Sequence, residues 1–182
     1  MIRVVIFCLI LLVPALGFAN SANESDKKWF VDLGGKTVDV VGSEKSLTGL
    51  RVGAVLPRGI NIGAEAFTLT KQTKSAENGY NRQQKSYNYF GAHIEYSYKL
   101  NERFSLIPGF SAGFGMGTYE EQDGDVYSSV EKSYASVEPS VTLSVRVIQS
   151  MWLNVGGSYF LVGDEPGFKN GASLNIFARY MW

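Results

Sequence analysis

Residues 135–145 read Ala-Ser-Val-Glu-Pro-Ser-Val-Thr-Leu-Ser-Val, and their side chains alternate between apolar and polar along the segment. Successive side chains of a β-strand point to opposite faces, so a period of two is the pattern of a strand. One face would carry Ala135, Val137, Pro139, Val141, Leu143 and Val145, and the other Ser136, Glu138, Ser140, Thr142, Ser144 and Arg146. The segment therefore predicts a strand with one apolar and one polar face.

The same alternation recurs through the chain. It predicts eight strands, at 28–39, 46–56, 60–71, 86–100, 104–118, 133–147, 151–162 and 171–182. Tight turns are expected at 57–59, 101–103 and 148–150, and longer loops at 40–45, 72–85, 119–132 and 163–170. An aromatic content of 13% and 20 glycines suit strands and turns better than helices.

Two prolines fall inside predicted strands, Pro108 and Pro139. Proline has no N–H to donate to a neighbouring strand. We expect each of them to lie at a bulge or a register irregularity.

The first nineteen residues have the features of a cleaved secretory signal. Arg3 precedes an apolar stretch, 4–13, and small residues lead to an expected cleavage after Ala19, with Ala22 as the alternative site. Residues 20–27 would be a short polar leader and 28–182 the folded domain. The one cysteine, Cys8, lies in the signal, so no disulfide is expected in the mature chain.

The distribution of charge suggests which face points outward. All ten lysines after the signal are expected at strand ends, turns or loops; they are Lys27, Lys28, Lys36, Lys45, Lys71, Lys74, Lys85, Lys99, Lys132 and Lys169. A lysine on the lipid side of a membrane barrel costs about 2–4 kcal/mol at mid-bilayer. Aromatic residues gather near strand ends, as in an interfacial belt; they are Trp29, Tyr96, Tyr98, Phe104, Tyr159, Tyr180 and Trp182.

These patterns predict an all-β fold, a closed antiparallel up-and-down transmembrane β-barrel of about eight strands. The apolar face would meet lipid, and the Gly, Ser and charged face would fill a narrow lumen. An even number of strands places both termini with the short turns, which in bacterial barrels face the periplasm.

Charged residues in mid-strand are expected on the inward face as a salt-bridge network that plugs the lumen. The predicted members are Asp32, Arg51, Glu65, His93, Glu95, Glu138, Arg146 and Arg179. Arg51–Glu65 and Asp32–Arg179 are the candidate pairs, because a buried charge is costly without a partner. The alternative for the same residues is a proton or ion pathway.

His93, Glu95 and Ser97 share one face and raise the question of a hydrolytic site. Neighbours at i and i+2 lie about 7 Å apart along a strand, too far for direct hydrogen bonds. We therefore expect His93 to be a packed lumen residue and the chain not to be an enzyme.

Two of the long connections carry opposite charge. The segment 72–85 and its flank hold Lys71, Lys74, Arg82 and Lys85 against Glu77, whereas 119–132 holds five acids against Lys132. Solvated loops are one interpretation, and mutual attraction over the mouth of the barrel is the other. An extracellular ligand, if there is one, is expected at these two segments.

At the end of the sequence, Leu174, Ile176, Ala178, Tyr180 and Trp182 alternate on one face up to a terminal aromatic residue. This resembles the last strand that the outer-membrane assembly machinery recognises. Over its mature length the chain resembles the small outer-membrane barrels of the OmpX/Ail and OmpA type. The resemblance implies a Gram-negative outer-membrane location among lipids and lipopolysaccharide, and a role in adhesion or envelope integrity.

The leading interpretation of function is a non-enzymatic barrel that supports the envelope and presents loops for interaction. A small-solute or ion channel is the alternative, and a lipid A-modifying enzyme a further one. We expect no cofactor and no metal. Balanced charge, with 17 basic and 17 acidic residues, gives no reason to expect nucleic-acid binding.

Overall fold

A computed structural model describes residues 28–40, 43–69, 73–77, 80–123, 126–162 and 170–182. The predicted signal and leader lie outside these residues. The strands are β1 (Lys28–Val40), β2 (Ser43–Val55), β3 (Ile60–Leu69), β4 (Thr73–Glu77), β5 (Tyr80–Tyr96), β6 (Tyr98–Lys99), β7 (Phe104–Asp123), β8 (Val126–Ile148), β9 (Met151–Val162) and β10 (Gly171–Met181). Among the described residues, no helix has the length and apolar character needed to span a membrane.

Eight of these strands close into a ring, in the order β1, β2, β3, β5, β7, β8, β9 and β10, and every pairing is antiparallel. The seam joins the first strand to the last, from Phe30 opposite Met181 to Lys36 opposite Asn175. The short β6 continues the line of β5. β4 forms a hairpin with residues 80–84 at the start of β5, which we call the outer end of β5. The predicted up-and-down barrel is thereby confirmed.

The three predicted tight turns are present at one end of the barrel. Pro57–Gly59 forms a 3-10 turn in which Arg58 has a φ of 66° and Gly59 a φ of 82°. The Asn101 side chain accepts hydrogen bonds from the N–H groups of Arg103 and Phe104, at 2.8 and 2.9 Å. The first and last strands also end on this side, where Trp29 N–H donates to the Trp182 carbonyl at 3.0 Å.

The other end of the barrel differs from prediction. Segments 72–85 and 119–132 are not long loops, because β4, β5, β7 and β8 extend through most of them. The register places Arg82 directly opposite Glu121. The basic and acidic segments are thus neighbouring strands of the wall, rather than loops folded over the mouth. Most of the predicted loop 163–170 lies outside the described residues.

The register is the same on both sides of each proline, so the expected bulge or register shift is absent at Pro108 and at Pro139. Instead, one ladder is interrupted beside each proline. The β5–β7 ladder stops at Glu95–Gly109 and resumes as β6 at Tyr98–Leu106, with Pro108 in the gap. The β8–β9 ladder likewise omits Pro139. The missing N–H removes the bond on one side while the neighbouring strand on the other side pairs normally.

The two faces of the sheet are sorted as predicted. On β8, Val137, Val141 and Leu143 point outward and are exposed, whereas Ser136, Glu138 and Thr142 are buried inside. Outward exposure reaches 71% at Phe114 on β7. A soluble barrel would reverse this arrangement, since exposed apolar patches of such extent mark a contact surface.

Candidate functional site

The inward positions bring most of the predicted charges into the barrel interior. Seven of the eight predicted network residues are buried there: Asp32 on β1, Arg51 on β2, Glu65 on β3, His93 and Glu95 on β5, Glu138 on β8 and Arg179 on β10. They converge because each occupies an inward position at mid-strand on a ring of paired strands.

Arg179 forms ion pairs with two carboxylates. Its Nε lies 2.7 Å from Asp32 Oδ1 and its Nη2 lies 2.8 Å from Asp32 Oδ2, which is a two-pronged contact across the barrel seam. The same Nη2 lies 2.8 Å from Glu95 Oε2. A planar guanidinium suits this task because it offers several donors in fixed directions.

Arg51 completes the network from the other side of Glu95. Its Nη1 lies 3.3 Å from Glu95 Oε1, and its Nε lies 2.9 Å from Glu65 Oε2. The contact with Glu65 is a close ion pair whose angles fall short of a hydrogen bond. Glu95 therefore links the two arginines, and the network connects strands from opposite parts of the ring.

His93 packs beside this network, not within a hydrolytic triad. Its Nδ1 is 3.9 Å from Glu65 Oε2, and its ring lies 5.8 Å from the Phe30 ring. Glu95 is occupied by arginines, and Ser97 Oγ accepts a hydrogen bond from Asn61 at 3.0 Å. The three residues share a face, as predicted, but each contacts a different partner, and they do not form a hydrogen-bonded triad.

Lys36 does not lie where the sequence pattern predicts it. It is not at a strand end but buried on the inward face of β1, where its ammonium group pairs with Glu138. Ser158 donates to the other Glu138 oxygen, and Asn175 donates to Ser158 at 2.9 Å. An inward lysine does not face lipid, so the lipid penalty does not apply. The cost of burying its charge is offset by the paired carboxylate.

Arg146 does not join the network, which corrects the prediction. It is exposed at the short-turn end of β8, and its guanidinium lies 4.7 Å from the centre of the Trp152 ring. Arg146 lies too close to the end of its strand to reach the layer of mid-strand charges.

An aromatic layer that was not predicted from the sequence lies in the lumen toward the end opposite the tight turns. We call this end the extended end, because β4, β5, β7 and β8 extend into it. The buried cluster consists of Val38, Leu47, Phe67, Tyr87, Tyr89, Tyr134, Phe160 and Phe177. The signal was present in the sequence: Phe67 lies two residues after Glu65, and Phe177 two residues before Arg179. Spacing by two places each aromatic on the same inward face as the charge.

The cations of the network contact these rings. Lys36 Nζ is 4.5 Å from the ring centres of both Phe67 and Tyr89. The Arg51 guanidinium is 4.3 Å from the Phe177 ring. Cation–π contacts of this kind stabilise a cation that has lost its hydration.

The interior therefore combines charge pairs with aromatic rings. Among the described residues, no cluster of three or more His, Cys, Asp or Glu is arranged to hold a metal ion. The arrangement joins strands across the lumen. It offers no exposed nucleophile beside a base among the residues named above.

The last strand presents a continuous outward face. Its exposed members include the predicted Leu174, Ile176, Ala178 and Tyr180, and the exposed Trp182 follows directly after the strand. Tyr180 and Trp182 stack with their ring centres 5.8 Å apart. The outward face of β10 is therefore apolar and ends in an aromatic pair at the short-turn side.

Solved structures with this fold are small outer-membrane barrels. The N-terminal barrel of Pseudomonas aeruginosa OprF is 11% identical, covers 85% of this chain and 97% of its own, and gives a TM-score of 0.54. Yersinia pestis Ail, in complex with the heparin analogue sucrose octasulfate, is 11% identical to this chain. It covers 86% of this chain and 99% of its own, with a TM-score of 0.55. A major outer membrane protein of Thermus thermophilus is 10% identical to this chain. It covers 86% of this chain and 100% of its own, with a TM-score of 0.58.

The resemblance is one of architecture. No family model matches the sequence, and no curated protein matches it. At 10–11% identity the three structures show the fold. The chain has the fold of the small OmpX/Ail/OmpA-like barrels.

Proposed function

We propose that this chain is an integral barrel of the Gram-negative outer membrane, with a plugged lumen and no enzymatic activity. It supports the envelope and presents its extended strands and loops outside, and both termini lie in the periplasm. The observation that carries the proposal is the inverted arrangement of the wall, with apolar residues outward and a charge network inward.

Strand lengths agree with a bilayer. A transmembrane strand needs about 9–11 residues, and β3 has 10 and β10 has 11. The closed ring satisfies the backbone polar groups that hydrocarbon cannot. We further propose that the outward face of β10, ending at Trp182, is the segment that the outer-membrane assembly machinery recognises.

The direct test combines membrane fractionation, gel migration with and without heating, and surface proteolysis of whole cells. We expect the protein in the outer-membrane fraction, a faster band before heating, and cleavage confined to the extended end. An epitope at the short-turn end should become accessible only after the outer membrane is permeabilised. Recovery in the soluble periplasm would overturn the proposal.

The plug makes a prediction about ion flow. Because Arg51, Arg179 and Lys36 are each neutralised and packed on rings, we expect no steady porin-like current in planar bilayers. A general porin added to the same bilayer serves as the positive control. A stable, reproducible conductance step from the purified protein would favour the channel alternative.

A second proposal concerns the extended end. Segment 71–85 carries four basic residues against Glu77, and Yersinia pestis Ail was crystallised with a heparin analogue. We propose that β4 and the outer end of β5 bind a sulfated glycan. Lys74 lies opposite Gln83 and Arg82 lies opposite Ser75 in the β4–β5 pair, and positive charge spread along a strand pair suits repeated sulfate groups.

The test compares two matched double variants on immobilised heparin. Lys74→Gln with Arg82→Gln removes two positive charges, and Glu120→Gln with Glu121→Gln removes two negative ones from the adjacent strand. We expect the first to weaken binding at least about tenfold, since each charge-assisted hydrogen bond contributes about 1.5–3 kcal/mol. The second should not weaken it. Equal loss in both variants, or none in the first, would refute the glycan proposal.

A further inference from the structure

The described residues at the short-turn end of the barrel are strongly basic, although the whole chain has as many basic as acidic residues. The exposed cations there are Lys28, Arg58, Lys99, Arg103 and Arg146, and Glu102 is the one acid among the described residues of the turns and adjoining strand ends. We call these five cations the basic rim. Balanced overall composition conceals this concentration of charge.

Backbone bonds hold the cations of the basic rim on neighbouring hairpins. The Ser97 N–H donates to the Gly59 carbonyl at 2.7 Å, which ties the turn of Arg58 to the strand that leads to Lys99. The Arg146 N–H donates to the Arg103 carbonyl at 2.8 Å. These bonds place the turn of Arg58 beside the strand of Lys99, and Arg103 beside Arg146, at the same end of the barrel.

Apolar residues border the basic rim on the outer wall. Tyr98, Leu100 and Phe104 are 57%, 53% and 37% exposed, and they alternate with or adjoin Lys99 and Arg103 in the chain. In a bilayer, exposed aromatic and aliphatic residues at a barrel end lie at the interface, and long cationic side chains beside them reach the headgroups. In the membrane placement proposed above, the cations would lie at the depth of lipid phosphates.

We infer that the basic rim binds the phosphate groups of anionic phospholipids in the leaflet that it faces. This rests on the membrane placement proposed above. Anionic headgroups attract Lys and Arg near the surface, and the attraction decays within a Debye length. Five cations against one acid make the rim complementary to such lipids and not to neutral ones.

The experiment measures lipid selectivity around the folded barrel with spin-labelled lipids. Wild-type protein in phosphatidylcholine vesicles should associate with labelled phosphatidylglycerol about twofold more strongly than with labelled phosphatidylcholine, and 1 M salt should abolish the preference. The triple variant Arg58→Asn, Lys99→Gln, Arg103→Gln should lose most of it. Asparagine is chosen at 58 because it tolerates the positive φ there.

The matched control is Lys74→Gln, Arg82→Gln, Lys85→Gln, which removes the same charge at the opposite end and should retain more selectivity than the rim variant. Selectivity kept by the rim variant, or lost equally in both, overturns the inference. A different result would assign the rim to peptidoglycan instead. In that case the wild type, but not the rim variant, would co-sediment with purified peptidoglycan, and lipid selectivity would be the same in both. Protein that never folds into vesicles would count against the membrane proposal itself.

Discussion

Replacing Arg179 with leucine is expected to lower the free energy of unfolding in lipid vesicles by about 3–5 kcal/mol, as seen when one partner of a buried ion pair is removed. Arg179 is 3% exposed and contacts both Asp32 and Glu95. Its loss leaves the Asp32 carboxylate without its two-pronged partner in a site closed to water. Urea titration followed by tryptophan fluorescence measures the change.

Two variants make this result specific. Arg103→Leu removes an exposed arginine from a turn and should change stability by no more than about 0.5 kcal/mol. The double variant Asp32→Leu, Arg179→Leu should lose less than the sum of its single variants, because neither charge is then left buried alone. Additive losses, or a change below about 1 kcal/mol for Arg179→Leu, would show that the pair does not stabilise the barrel.

Replacing Gly34 with alanine is expected to destabilise the barrel by about 3 kcal/mol, the upper end of the usual cost of overpacking. A Cβ at Gly34 would meet the backbone carbonyl of Ile176 and lie 2.7 Å from Phe177 Cα and from the Phe177 ring. A backbone obstacle cannot rotate away, so the seam between β1 and β10 must open. The fraction that migrates as the folded form without heating, and its urea midpoint, measure the effect.

Gly157→Ala is the matched control for this prediction. A Cβ there would meet only the Ser173 carbonyl, at an ordinary 3.7 Å, so we expect folding and stability close to wild type. If the two alanine variants behave alike, close packing of the Phe177 ring and strand against Gly34 is not a requirement of the seam.

Much of the architecture could be predicted from residue order. Period-two alternation identified the strand faces, and the face assigned outward on β8 is the exposed one. The pair Arg51 with Glu65 was proposed from similar height beside a turn, and Asp32 with Arg179 from the need of the first and last strands to pair. Both pairs lie directly opposite in the register. Register follows from turn position when both strands and the turn are identified.

The errors in the prediction have a common cause. Lys36 was assigned to a strand end although it lies within the predicted strand 28–39 and has the same parity as Asp32. The charge-rich segments were taken as loops because their side chains are polar. Strands that extend beyond a membrane have no need of an apolar face, so the polar stretch of β7 near Asp123 gave no sign of a strand. Arg146 had the correct face but lay too near the end of its strand to reach the network.

The sequence by itself determined that the chain forms alternating strands, which face of each strand is apolar, and that an even number of strands must close to satisfy the backbone. Those properties are local, because they depend on a side chain's parity and on the turn residues nearby. Only the tertiary structure decided that Glu95 joins Arg51 to Arg179, that Lys36 packs on Phe67 and Tyr89, and that the two oppositely charged segments pair as strands. Those contacts join residues far apart in the chain, and they depend on the tilt and closure of the barrel, which no short stretch of sequence encodes.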